Sequence, residues 1–127
     1  MRLHKRESGM HLIVRCAAVI VAAGCWASAT QADDRALCSG NEGTRDDRIA
    51  ACTRLIEQDK VEGAGLAQAL QNRGMDYAAR GDRERAIADY SRAIEINPSQ
   101  TAAFVARANA YVAMKQYDRA IADYSAA

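Results

Sequence analysis

The sequence predicts an all-α fold, a solenoid of helical hairpins made of a half repeat, one full repeat and one truncated repeat. Two observations carry this. The string RAIADYS occurs at Arg85–Ser91 and again at Arg119–Ser125, 34 residues later. Beyond residue 30 the chain is dominated by Ala, Leu, Arg, Glu and Gln, which favour helix, and runs of Val, Ile and Thr are nearly absent. A fixed period of this size marks stacked supersecondary units.

The opening segment, residues 1–32, reads as a secretory signal. Arg2, Lys5, Arg6 and Arg15 precede an uncharged run from Cys16 to Ala27. That run is too short for a permanent span. Small residues follow before the first acids, and cleavage after Ala29 or Ala32 fits them; Met10 would give a more compact start. The sequence AAGC at Ala22–Cys25 offers a second outcome, lipidation of Cys25, and an uncleaved anchor is a third. The expected location is therefore export, to the periplasm of a Gram-negative bacterium, with a lipid anchor as the alternative and membrane contact only through Cys25.

The segment 33–66 reads as the half repeat with its linker. Two cysteines survive beyond the signal, Cys38 and Cys52. An even number in an exported chain usually pairs; two buried free thiols are the alternative. Two Cys without a nearby His cannot complete a tetrahedral zinc shell. A helix is expected near 46–58, with Cys38 in the loop before it. Thr44 and Asp47 form a capping arrangement at its start. DKVEGAGL, at residues 59–66, reads as a looser linker.

Residues 67–100 form the full repeat and 101–127 the truncated one. Comparing Ala67–Ala93 with Thr101–Ala127 gives 12 identities in 27 positions. Helices are expected at about 67–80, 83–96, 101–114 and 117–127. In the first of these, Leu70, Gly74, Tyr77 and Ala78 recur at spacings of three and four. Gly81 suits a left-handed C-cap and Asp82 an N-cap. Ala86, Ile87, Tyr90, Ala93 and Ile94 share one face of the next helix, which ends before Pro98.

Leu70, Gly74, Tyr77, Ala86, Tyr90 and Pro98, with Phe104, Ala108, Tyr111, Ala120 and Tyr124, resemble the tetratricopeptide repeat (TPR) pattern of bulky, small and aromatic positions. Ile49, Ala50, Thr53, Arg54 and Ile56 line up with Ile87, Ala88, Ser91, Arg92 and Ile94 as a lone second-type helix. The arrangement is similar to exported bacterial TPR proteins that open with a cysteine-bridged half repeat. Arg73 and Arg107 stand where that family often has leucine; their stems are expected to cover apolar surface while the guanidinium stays in water. Asp89 and Asp123 are expected on a solvated helix face.

The resemblance implies a concave groove that holds a peptide or helix of another protein. Its lining would be Gln68, Gln71, Met75, Ala78 and Ala79 from one unit, and Ala102, Val105, Asn109, Val112 and Ala113 from the next. This lining lacks the cations of a carboxylate clamp.

Catalysis has no support. Both histidines, His4 and His11, lie in the signal, and no phosphate-binding loop follows Gly63 and Gly65. No catalytic, metal or cofactor residue is assigned. Residues 33–127 carry 13 basic and 15 acidic groups, a net −2 with no basic stripe, which excludes a nucleic-acid partner on charge. Ile121 and Tyr124 on the last helix have no following helix to cover them, so self-association through this end is the second expectation. An accessory domain of a longer protein is the other alternative.

Overall fold

The computed structural model describes residues 33–40 and 42–127. The expected signal, its cleavage points and Cys25 lie outside the described residues. Among the described residues the structure is all-α, as the sequence predicts: α1 (33–39), α2 (Arg45–Glu57), α3 (Gly63–Ala79), α4 (Arg83–Ile96), α5 (Thr101–Ala113) and α6 (Tyr117–Ala126). Each helix from α2 onward packs on its chain neighbours, and α3 also touches α5. That is the connectivity of a solenoid, in which units contact only adjacent units.

Local chemistry sets the helix ends. Thr44 caps α2 by accepting from the Asp47 amide, while the Asp47 carboxylate accepts from the Thr44 amide at 3.0 Å. The Thr44 bonds hold the Asp47 carboxyl below its ordinary range. Gly81 takes φ +91° at the end of α3, and the Asp82 side chain accepts from the Arg85 amide to start α4. The second hairpin makes the same turn with Lys115 at φ +60°, a conformation disfavoured for a residue with a Cβ.

Two expectations are corrected. Cys38 lies in a helix, α1, rather than in a loop, so the half repeat is a complete if short hairpin of α1 and α2. Residues 63–66 are the first turn of α3 rather than linker. Gly63 enters at φ +51°, and the amides of Gly65 and Leu66 donate to the Glu62 carbonyl. Gly65 is thus taken into the first turn despite the low helix propensity of glycine.

The core lies mostly between α2 and α3. Ala51, Cys52, Leu55, Ala67 and Leu70 are almost wholly enclosed there, with Ala93 and Ala103 from the next hairpins. The Sγ atoms of Cys38 and Cys52 stand 2.08 Å apart. A second cluster gathers Ala86, Tyr90 and Ala110. Small residues let the helices approach, and the Tyr90 ring fills the space left at Gly74. A Cβ built at Gly74 would sit 2.6 Å from Tyr90 Cε1.

Candidate interaction site

The verbatim string is explained by the contacts each copy makes. Arg85 lies over the Tyr77 ring and Arg119 over Tyr111, at 5.6 and 5.7 Å from the ring centres. Ala86 and Ala120 are buried at the helix crossings. Asp89 and Asp123 are buried rather than solvated, at 7% and 6% exposure. Each accepts two hydrogen bonds from an arginine 16 positions earlier: Arg73 to Asp89 at 2.8 and 2.8 Å, Arg107 to Asp123 at 2.8 and 2.7 Å.

The guanidinium groups therefore do not stay in water. The missing leucine of the sequence pattern is replaced by a paired charge. A third bond from each arginine reaches back to the preceding hairpin, Arg73 Nη1 to Thr53 Oγ1 at 3.1 Å and Arg107 Nη1 to Ser91 Oγ at 2.9 Å. The carboxylates, through these bonds, push both guanidinium pKa values upward against the opposing effect of burial. Thr53 and Ser91, aligned at an offset of 38, thus play the same part, although the chain between acceptor and arginine is four residues longer in the first case.

Of the expected groove residues, α5 presents Ala102, Val105, Asn109, Val112 and Ala113 to solvent. Val105 is 37% exposed and Val112 41%. On α3, Gln68, Met75 and Ala79 are exposed, Met75 by 53%. Gln71 does not belong to an open lining: it is buried and its Oε1 accepts from Gln100 Nε2. Ala78 is half-buried against the Tyr90 cluster. Asn109 accepts a hydrogen bond from the Tyr124 hydroxyl.

The sequence reading missed a wall of this surface because it did not place α1. The end of α1 lies against α3, where Asn72 Nδ2 donates to the Cys38 carbonyl at 3.0 Å. A cleft of about 270 Å³ follows, bounded by Ser39, Arg48, Asn72, Met75, Asp76 and Ala79. Beside it a smaller hollow of about 200 Å³ is walled by Leu55, Val61, Gln68 and Ala69. The one cation bounding the larger cleft, Arg48, is paired with Asp76 at 2.5 Å. Asp76 raises the Arg48 pKa through that bond. The larger cleft thus has its one cation compensated by Asp76, while Arg35 at the edge of the smaller hollow donates to the Lys60 carbonyl.

Among the described residues no group of three or more His, Cys, Asp or Glu is placed to hold a metal ion. None of the described helices is long and apolar enough to cross a membrane.

Two family models match the chain, both described as the tetratricopeptide repeat, one over residues 67–100 and one over 101–127. Comparison with curated proteins finds no match. The two matched segments coincide with the hairpins α3–α4 and α5–α6 and with the recurring Arg–Asp pairs. Residues 67–127 therefore match two consecutive tetratricopeptide repeats within an all-α solenoid, a repeat type that typically serves protein–protein interaction.

Proposed function

We propose that this chain is a non-catalytic interaction module that holds a neutral, largely apolar peptide or helix of a partner protein against α3 and α5. The observation that carries the reading is the exposure of Met75, Val105 and Val112 on first helices of successive hairpins. Apolar side chains held out on a rigid scaffold are the usual anchors of a helix-in-groove or peptide-in-groove contact. The compensated Arg48–Asp76 pair argues against a charged ligand group at the cleft. Export under the segment 1–32, to the periplasm of a Gram-negative bacterium, and a Cys38–Cys52 disulfide belong to this proposal; anchoring through a lipid on Cys25 is its variant.

The test is a photo-crosslinking amino acid at Val105, with mass spectrometry of the adducts formed in intact cells. One discrete protein partner, lost when Met75→Glu is added, is the expected result. Unchanged adducts in that variant, or none, would count against the groove.

A second reading is favoured by a different observation. Ile121 is 62% and Tyr124 45% exposed on α6. This suits an assembly subunit that joins another chain through its open helical end.

A further inference from the structure

We infer that α1 is a redox-held wall of the surface beside Met75: pairing of Cys38 with Cys52 seats it against α3, and reduction of the pair by a dithiol releases it and dismantles both the larger cleft and the smaller hollow. The inference rests on the disulfide and the groove proposed above. Cys38 and Ser39 bound both spaces, Arg35 the smaller one and Gly40 the larger. Without these residues neither space is closed on the α1 side.

Little besides the sulfur pair holds α1 in place. Its residues, 33–39, make less than two turns, too few to persist as an isolated helix. The Asp34–Arg54 ion pair has its arginine half in water, where screening weakens it. Leu37 adds a half-buried contact with the core. Arg35 Nη2 donates to the Lys60 carbonyl at 3.2 Å on the exposed side. Asn72 Nδ2 donates to the Cys38 carbonyl, and Gln68 Nε2 donates to Asn72 Oδ1 at 2.9 Å. This chain of amides orients the α3 rim through a carbonyl of α1, so release of α1 frees the rim as well.

Cys52 is fully buried, while Cys38 bounds both spaces, so attack falls on the Cys38 sulfur. A thiolate of the reductant bonds to that sulfur, the Cys38–Cys52 bond breaks, and Cys52 leaves as a thiolate that takes up a proton. The second thiolate of the reductant attacks its own sulfur in the mixed disulfide, and Cys38 leaves in the same way. Two electrons and two protons pass from the dithiol to the pair, and the reductant closes into a disulfide. A partner that touches the α1 wall prefers the paired form, and by linkage it favours that pairing.

The test follows the full chain by hydrogen exchange with mass spectrometry, as isolated without reductant, after dithiothreitol, and after reoxidation. Alkylation gives the redox state of each sample; two reactive thiols before reduction would mean that the disulfide reading fails and the inference with it. On reduction, protection over 33–40 should fall to that of an unfolded chain and return on reoxidation, while protection over 83–127 holds throughout. Cys38→Ala with Cys52→Ala should behave as the reduced chain and ignore dithiothreitol. Retained protection over 33–40 would show that other contacts seat α1, and loss over 83–127 would show a staple of the whole fold; either overturns the inference. A photo-crosslinking amino acid at Ala79, exposed at the larger cleft, reads the surface in intact cells. Its adducts should disappear in the double alanine variant, and unchanged adducts there overturn the inference. If the parent chain gives none, the groove reading fails, and the exchange result alone decides whether α1 is redox-held.

Discussion

Arg73 and Asp89 form a two-pronged ion pair across the first full hairpin, both bonds at 2.8 Å and both side chains largely out of water. Removing the arginine would leave a buried carboxylate without its partner. Arg73→Ala should cost about 3–5 kcal/mol, the range for breaking such a pair. The double change Arg73→Leu with Asp89→Leu should recover most of that loss, because it removes both charges and restores an apolar contact. Urea unfolding of the three proteins decides it; a double variant no more stable than Arg73→Ala would show that the pair contributes more than charge compensation.

Gly74 and Tyr90 supply a second test. A Cβ at position 74 meets the ring at 2.6 Å, so Gly74→Ala must displace Tyr90 or open the hairpin. The expected loss is about 1–3 kcal/mol, even though alanine is the better helix former. In the second repeat Ala108 stands at the equivalent position, and the Tyr124 hydroxyl donates to Asn109. A melting temperature raised by Gly74→Ala would contradict the packing described.

Tyr90 also makes stability depend on alkaline pH. Burial, reinforced by the Asp89 and Asp76 carboxylates, pushes its pKa from 10.0 up to about 12. The folded state thus holds the proton more tightly than the unfolded chain. Below pH 10 both states are protonated and the contribution is complete. Between about pH 10 and 12 only the unfolded chain ionises there, and stability falls by up to about 1.4 kcal/mol per pH unit. Tyr90→Phe should show a smaller fall in urea midpoint from pH 9 to pH 11 than the parent; equal falls would place the cause elsewhere.

The proposed Cys38–Cys52 disulfide would close a short loop that joins α1 to α2. Replacing both with serine should cost about 3 kcal/mol on the chain-entropy account. Hydrogen exchange should rise first in residues 33–39, a helix too short to persist alone. Intact-mass measurement after alkylation without reductant gives the redox state directly. Two reactive thiols in the protein isolated without reductant would remove the basis for this expectation.

The helical hairpins were legible because their signals are local. Gly81, Asp82 and Pro98 mark chain turns by backbone geometry, and the small and aromatic positions recur with the repeat. Asp89 and Asp123 were misread for the opposite reason. A carboxylate on a helix looks solvated until the helix carrying its arginine is placed beside it. Gln71 was assigned to the groove by its position on α3, but Gln100 comes from the following turn and covers it. α1 escaped notice because residues 33–39 offer less than two turns of pattern, and its position depends on Cys52, Arg54 and Asn72 in other helices.

The backward-reaching arginines give the array a polarity. The hairpins α3–α4 and α5–α6 each close their own ion pair, and in each the arginine also grips the hairpin before it. The α1–α2 end is held by Arg73 through Thr53 and, where Cys38 and Cys52 are paired, by their disulfide, whereas no arginine among the described residues reaches Ser125 on α6. Loss of these contacts should therefore expose Ser91 before Thr53, and stall at the α1–α2 hairpin where Cys38 and Cys52 are paired.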